Sequence, residues 1–297
     1  MLSLLAASGA AADPIYWSDL GLFEGFNLGF FTLRFYSLAY LIGLGFAYWH
    51  LSKMLKTPGA PMAQRHADDL FFYCILGVIL GGRLGYATFY EPSLWTDFSG
   101  DGFVSWKLLR MWDGGMSFHG GLVGVLAAIT WVTYRDKLSW IRVCDFIAVN
   151  VPMGMMLGRL ANFNNGELYG RASDVSWAMV FPSDPLQVAR HPSQLYQAAL
   201  EGLALLIILM LLFWMTKARY RPGLLVGIFT LGMGIARFVN EFFREPDAQL
   251  ADFAARTGLS MGQWLTIPLI LIGLIVTIYA VTRKPVGTGA NSNPKGA

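Results

Sequence analysis

The stretch MGMMLGRLANFNNGELYGR, residues 153–171, starts as membrane sequence and ends as something else. The residues leading into it from Trp140 are largely apolar. Then Arg159 enters the apolar run, followed by Asn162, Asn164, Asn165 and Glu167. An ionisable group carried into a bilayer costs free energy, so its presence there is a functional signal. Arg159 and Asn162 are three residues apart and share one helix face. Gly166 and Gly170 permit tight backbone turns where the helix leaves the membrane.

The whole chain agrees with this reading. Of 297 residues, 55% are hydrophobic and 14% are charged, against about 25% charged in a soluble domain. The fold class expected is an all-α polytopic membrane protein, a bundle of about seven spanning helices with a small periplasmic cap. The spans fall near residues 28–52, 69–90, 116–134, 140–163, 194–216, 223–243 and 263–282. They form one integral membrane domain over residues 1–282. Outer loops run over 91–115, 166–193 and 243–262, and residues 283–297 form a tail of disordered composition. The N-terminal MLSLLAASGAAADP lacks a basic n-region and reads as an uncleaved tail.

Twelve Lys and Arg residues fall in one set of loops and six in the other, which places the first set in the cytoplasm. The N-terminus is then outside and the C-terminus inside. Four arginines remain within predicted spans: Arg34, Arg83, Arg159 and Arg237. All four lie in the outer half, and His119 opens a span at the same depth. Snorkelling, a long stem carrying its charge to the interface, is the strongest bland reading for Arg34 and an even one for Arg83. Arg159 and Arg237 have polar neighbours at helical spacing, which snorkelling does not require.

In GIARFVNEFFREPDAQ, Arg237 and Glu241 are four apart, and Arg244 follows. The pair could simply neutralise two charges in an apolar medium. Two arginines at one depth also suit a phosphate, because a guanidinium presents a planar fork of donors. In WDGGMSFHGGLVG, His119 sits among glycines and is the side chain best able to exchange a proton near neutral pH. A histidine satisfied by a carbonyl is the plain alternative. His191 in RHPSQLYQ has no partner readable from the sequence.

Other chemistries find no support. No basic tract points to nucleic acid. Cys74 and Cys144 sit in apolar runs and read as small buried hydrophobes. No metal-ligand spacing, GxSxG elbow or phosphate loop is found, so no metal or cofactor is expected and no protein nucleophile is evident. There is no internal repeat of the transporter kind, and the cytoplasmic halves of the spans look dry. A lipid-binding protein without catalysis stays open.

Together these stretches resemble the bacterial prolipoprotein diacylglyceryl transferases. That family's signature, G-R-x-[G/A]-N-F-x-N-x-E-x-x-G, matches Gly158 to Gly170. GGRLGY, WDGGMSFHGGLVG, RHPSQLYQ and EFFREPDAQ resemble further family blocks, in family order, over roughly residues 30–282. The resemblance implies a seven-span inner-membrane enzyme acting on the periplasmic side. Its partners would be phosphatidylglycerol and a prolipoprotein signal peptide bearing a lipobox cysteine. The diacylglyceryl group moves to the cysteine thiol, a thioether forms, and glycerol phosphate leaves. The substrate then brings its own nucleophile.

By position, the resemblance assigns Arg159 and Arg237 to the phosphate and His119 to the base. Asn162, Glu167, Glu241, Tyr36 and Arg83 join the headgroup set. Three departures are visible: Ala161 where glycine is commoner, Met233 where some members carry tyrosine, and Asn164 at a usually apolar position.

Overall fold

The computed structural model describes residues 14–23, 25–27, 29, 32–96, 106–110, 114–245 and 256–286. The N-terminal tail, parts of the outer loops 91–115 and 243–262, and most of the tail 283–297 lie outside these residues. Helices are α1 (Phe35–Met54), α2 (Gln64–Phe89), α3 (Phe118–Arg135), α4 (Trp140–Ala148), α5 (Val151–Asn164), α6 (Ser193–Met215), α7 (Leu224–Asn240) and α8 (Met261–Thr282). A further one-turn α-helix lies at Trp106–Leu109, beside short 3-10 turns at Trp17–Leu20, Pro92–Trp95 and Ala218–Tyr220.

The fold is mostly helical, and each of the seven expected stretches holds a helix. By length and composition, α2, α6 and α8 can each cross a membrane, and α4 with α5 forms a fourth, bent candidate. Only 17% of the apolar window of α8 is buried within the protein. An outer face that apolar calls for an apolar medium.

Three local differences from the sequence reading have physical causes. The first span starts later than residue 28, because Gly25–Asn27 (β2) and Thr32–Arg34 (β3) pair as an antiparallel hairpin. Asn27 accepts the Gly29 N–H at 2.8 Å, and Gly29 takes a positive φ of 88°, which closes the turn. Arg34 is therefore an exposed strand residue that precedes the first helix.

Second, the span expected at 140–163 is broken, with α4 and α5 meeting at 41°. Pro152 has no N–H to continue the ladder. Asn150 fills the break: its amide donates to the Phe146 carbonyl at 2.8 Å, and its Oδ1 lies 2.7 Å from His50 Nδ1. Third, α6 contains a π-helical segment over Ala198–Ala204. Two small sheets qualify the all-α expectation. Beside the hairpin, Ile15–Tyr16 (β1) pairs in parallel with Met179–Val180 (β4), which pairs antiparallel with Ala189–Arg190 (β5).

The chain divides into two compact units. One comprises residues 47–150, 216–226 and 277–297. Its core gathers Met62, Leu70, Ile129, Val132, Val143 and Cys144. Within it, α2 and α3 meet along glycines. A Cβ added at Gly124 would lie 2.0 Å from the Gly77 carbonyl oxygen, and one at Gly120 would lie 2.2 Å from that of Gly81. Only glycine allows backbones this close. Buried Asp145 accepts the Gly223 N–H at 2.7 Å and the Val226 N–H at 2.9 Å, capping the start of α7.

The other unit comprises residues 1–46, 151–215 and 227–276. Here Gly202 of α6 lets α5 approach, since a Cβ there would lie 2.5 Å from Met156 Cβ. Below that contact, Leu205, Leu209 and Phe213 fill the interior at one-turn spacing.

Candidate active site

The signature stretch ends α5 with a Schellman turn. The Glu167 N–H returns to the Asn162 carbonyl at 3.1 Å, and the Gly166 N–H returns to Phe163 at 3.0 Å. Gly166 takes a φ of 65°, the left-handed cap that glycine tolerates best. The turn also fixes the side chains. Asn162 and Asn165 both donate to Glu167 Oε1, at 2.9 and 3.3 Å. Glu167 is thus held by amides. Asn164, the residue at a usually apolar position, donates to the Phe23 carbonyl at 2.8 Å and ties down the N-terminal segment.

The acid that meets Arg159 is Glu201, on the π segment of α6. Its carboxylate is fully buried. Arg159 Nη2 lies 3.9 Å from Oε2, and Arg237 Nη1 lies 4.0 Å from Oε1. Two guanidiniums from separate helices therefore flank one carboxylate, within about 10 Å of each other. Asn240 donates to Glu201 Oε1 at 3.1 Å. Glu201 Oε2 and Asn240 Oδ1 accept no hydrogen bond among the described residues, nor do Gln194 Oε1 and Gln197 Oε1 on the same face of α6.

Arg237 is also paired one turn on, with Nη2 at 2.9 Å from Glu241 Oε1. Glu241 receives Arg244 at 3.2 Å and the Ser260 hydroxyl at 3.2 Å. Three guanidiniums against two carboxylates leave one positive charge, which matches a phosphodiester monoanion. The side chains of Arg159 and Arg237 are 27% and 23% exposed, so their forks are partly open to a ligand. The segment after α7 is pinned by the loop after α5. Gly170 bridges to Arg244, and its α-carbon faces the Phe243 carbonyl so closely that no Cβ fits.

Tyr36, at the start of α1, is half-buried and rests against Tyr40 with ring centroids 5.2 Å apart. His119 and Arg83 belong to the other unit. His119 is exposed in the first turn of α3, whose N-cap Ser117 accepts the Gly120 N–H at 3.2 Å. Arg83, which the resemblance assigns to the headgroup set, is held by the backbone here. It is 5% exposed, and its nitrogens donate to the backbone carbonyls of Lys107, Leu108, Gly114 and Gly115. Those bonds make it a staple for the loop preceding α3.

Sequence reasoning missed Glu201. The signal was present: a lone acid in the apolar run QAALEGLALL. Reading depth from the basic residues alone leaves it out. His191 does have a partner, the Tyr196 hydroxyl at 3.1 Å from Nδ1, and burial lowers its pKa and favours the neutral ring.

The loop after α5 carries its own clamp. Arg190 donates to both oxygens of buried Asp184, at 2.6 and 3.0 Å, and pairs with Glu245 at 2.9 Å. Hydrogen bonding from Arg190 holds the Asp184 carboxyl below the usual carboxylate range. A lowered folded pKa gives stability that is complete above the unfolded value, about pH 4, and is lost as pH falls through the folded value. Asp184→Asn is therefore expected to lower Tm at neutral pH while flattening the fall in Tm between about pH 5 and pH 2. Melting curves in detergent at stepped pH check this. A variant with the wild-type acid slope would show that the clamp adds nothing.

A model of the prolipoprotein diacylglyceryl transferase family matches residues 24–279. The chain is 66% identical over 279 residues to the phosphatidylglycerol–prolipoprotein diacylglyceryl transferase of Erythrobacter litoralis, covering 94% of this chain and 96% of that one. The enzymes of the same name from Zymomonas mobilis and Azospirillum brasilense are 44% and 46% identical. The first match covers 96% of both chains, and the second covers 95% of this chain and 99% of the relative. With a family match over most of its length and relatives aligned nearly end to end, the chain belongs to the prolipoprotein diacylglyceryl transferase family.

Proposed function

We propose that this protein transfers the sn-1,2-diacylglyceryl group of phosphatidylglycerol to the lipobox cysteine thiol of a prolipoprotein, the first step of bacterial lipoprotein maturation. The supporting observation is the pair of guanidiniums, Arg159 and Arg237, that flank one buried carboxylate with one positive charge in excess. In the reaction the thiol sulfur attacks the glyceryl carbon next to phosphate. A carbon–sulfur bond forms, the carbon–oxygen bond breaks, and glycerol phosphate leaves with the bonding electrons. The thiol proton passes to a base.

Arg159 and Arg237 hold the phosphate and stabilise the charge that grows on the leaving oxygen. Asn162, Glu167 and Glu241 keep the arginine-bearing segments in place. Tyr36 contributes to the headgroup surface. His119 takes the thiol proton, a role supported by its exposed imidazole and its family motif. The enzyme is a seven-span protein of the inner membrane with its N-terminus outside and its chemistry on the periplasmic side, as the distribution of Lys and Arg supports.

The test uses purified protein in phosphatidylglycerol nanodiscs with a lipobox peptide. The expected product is peptide heavier by one diacylglyceryl group, absent when the peptide cysteine is serine. Lipid binding without any thioether would instead assign the protein to a lipid-binding role.

A further inference from the structure

We propose that Glu201 is a positioning residue that sets the spacing and direction of the Arg159 and Arg237 guanidiniums. The inference rests on the function proposed above and adds a residue outside the family signature.

Two guanidiniums this close repel each other unless an anion lies between them. Before lipid arrives, that anion is Glu201. Its distances of 3.9 and 4.0 Å are too long for hydrogen bonds, so it attracts both cations without itself taking a donor from either. Glu241 differs, because it stands in direct ion-pair contact with Arg237 at 2.9 Å and accepts a hydrogen bond from Arg244 at 3.2 Å.

The surrounding structure fixes this carboxylate. The π segment widens the turn that carries it, and Asn240 holds Oε1 at 3.1 Å. Gly202, the next residue, draws α5 against α6, which brings Arg159 to Oε2. A fully buried carboxylate is costly without such partners. A purely structural charge would be better served by direct, bonded pairing. One that stands just beyond bonding distance of two cations sets their place without occupying them.

The test is steady-state kinetics in phosphatidylglycerol nanodiscs. Glu201→Gln keeps the shape and the Asn240 contact but removes the charge. The expected result is a kcat lowered about 10- to 100-fold, because misplaced groups cost most in the transition state. KM for phosphatidylglycerol should stay the same or fall, since the cluster gains net positive charge. Glu201→Asp should recover part of kcat. Wild-type kcat and KM in Glu201→Gln would overturn the proposal, as would lower folded yield with unchanged activity per folded molecule. If Glu201→Gln does not fold, Asn240→Ala carries the test. It frees the carboxylate and should lower kcat without raising KM, and an unchanged kcat there also overturns the proposal. Failure of the functional reading itself is distinguishable, because wild type would then form no thioether.

Discussion

Arg237→Ala is expected to lower kcat/KM for thioether formation by about 10²–10³-fold, the usual cost of removing one preorganised donor from a developing oxyanion. Arg237 is the shared member of the cluster, ion-paired with Glu241 and facing Glu201. Its loss removes a phosphate ligand and leaves two buried carboxylates with less compensation, so Tm should fall as well. Arg237→Lys separates the two effects. Lysine restores a charge near Glu241 but not the planar fork, so it should recover Tm more fully than turnover. Mass analysis of the lipidated peptide, beside melting curves, gives both readings. A Lys variant with wild-type turnover would mean that the site needs charge alone.

His119→Ala should lower turnover by about 10²–10⁴-fold near neutral pH, the range for a general base. The decisive feature is how the deficit depends on pH. A cysteine thiol ionises near pH 8.5. Below that value the base must remove the proton, and above it the thiolate is already present. The ratio of wild-type to variant rate should therefore shrink as pH rises through about 8.5. A ratio constant with pH would place His119 in the architecture of the α3 entrance and not in proton transfer.

Much of this molecule was legible in its sequence because a bilayer simplifies the reading. Apolar length located the main helical stretches, and the charges inside them pointed to Arg159 and Arg237. Gly166 at the end of α5 pointed to a tight turn, which the Schellman turn supplies. Pro152 could have announced the break before α5. The π segment could not be read, since its wider turn arises from tertiary packing around Gly202 and Met156. The same holds for Arg83. Whether an arginine binds a ligand or staples a loop depends on which carbonyls the chain folds over it, and four backbone carbonyls surround this one. Glu201 lay between these cases, visible as a misplaced acid but without a partner until α5 and α7 were set beside it.

The glycine seam between α2 and α3 bears on how a two-tailed lipid travels. An acyl methylene needs about 3.5–4.0 Å of clearance from each neighbouring carbon. A single methyl group would sit 2.0 Å from backbone oxygen at Gly124 and 2.5 Å at Gly77. No hydrocarbon tail threads that joint. Any lateral path for a two-tailed lipid or a lipidated peptide therefore lies elsewhere than between α2 and α3 at these glycines.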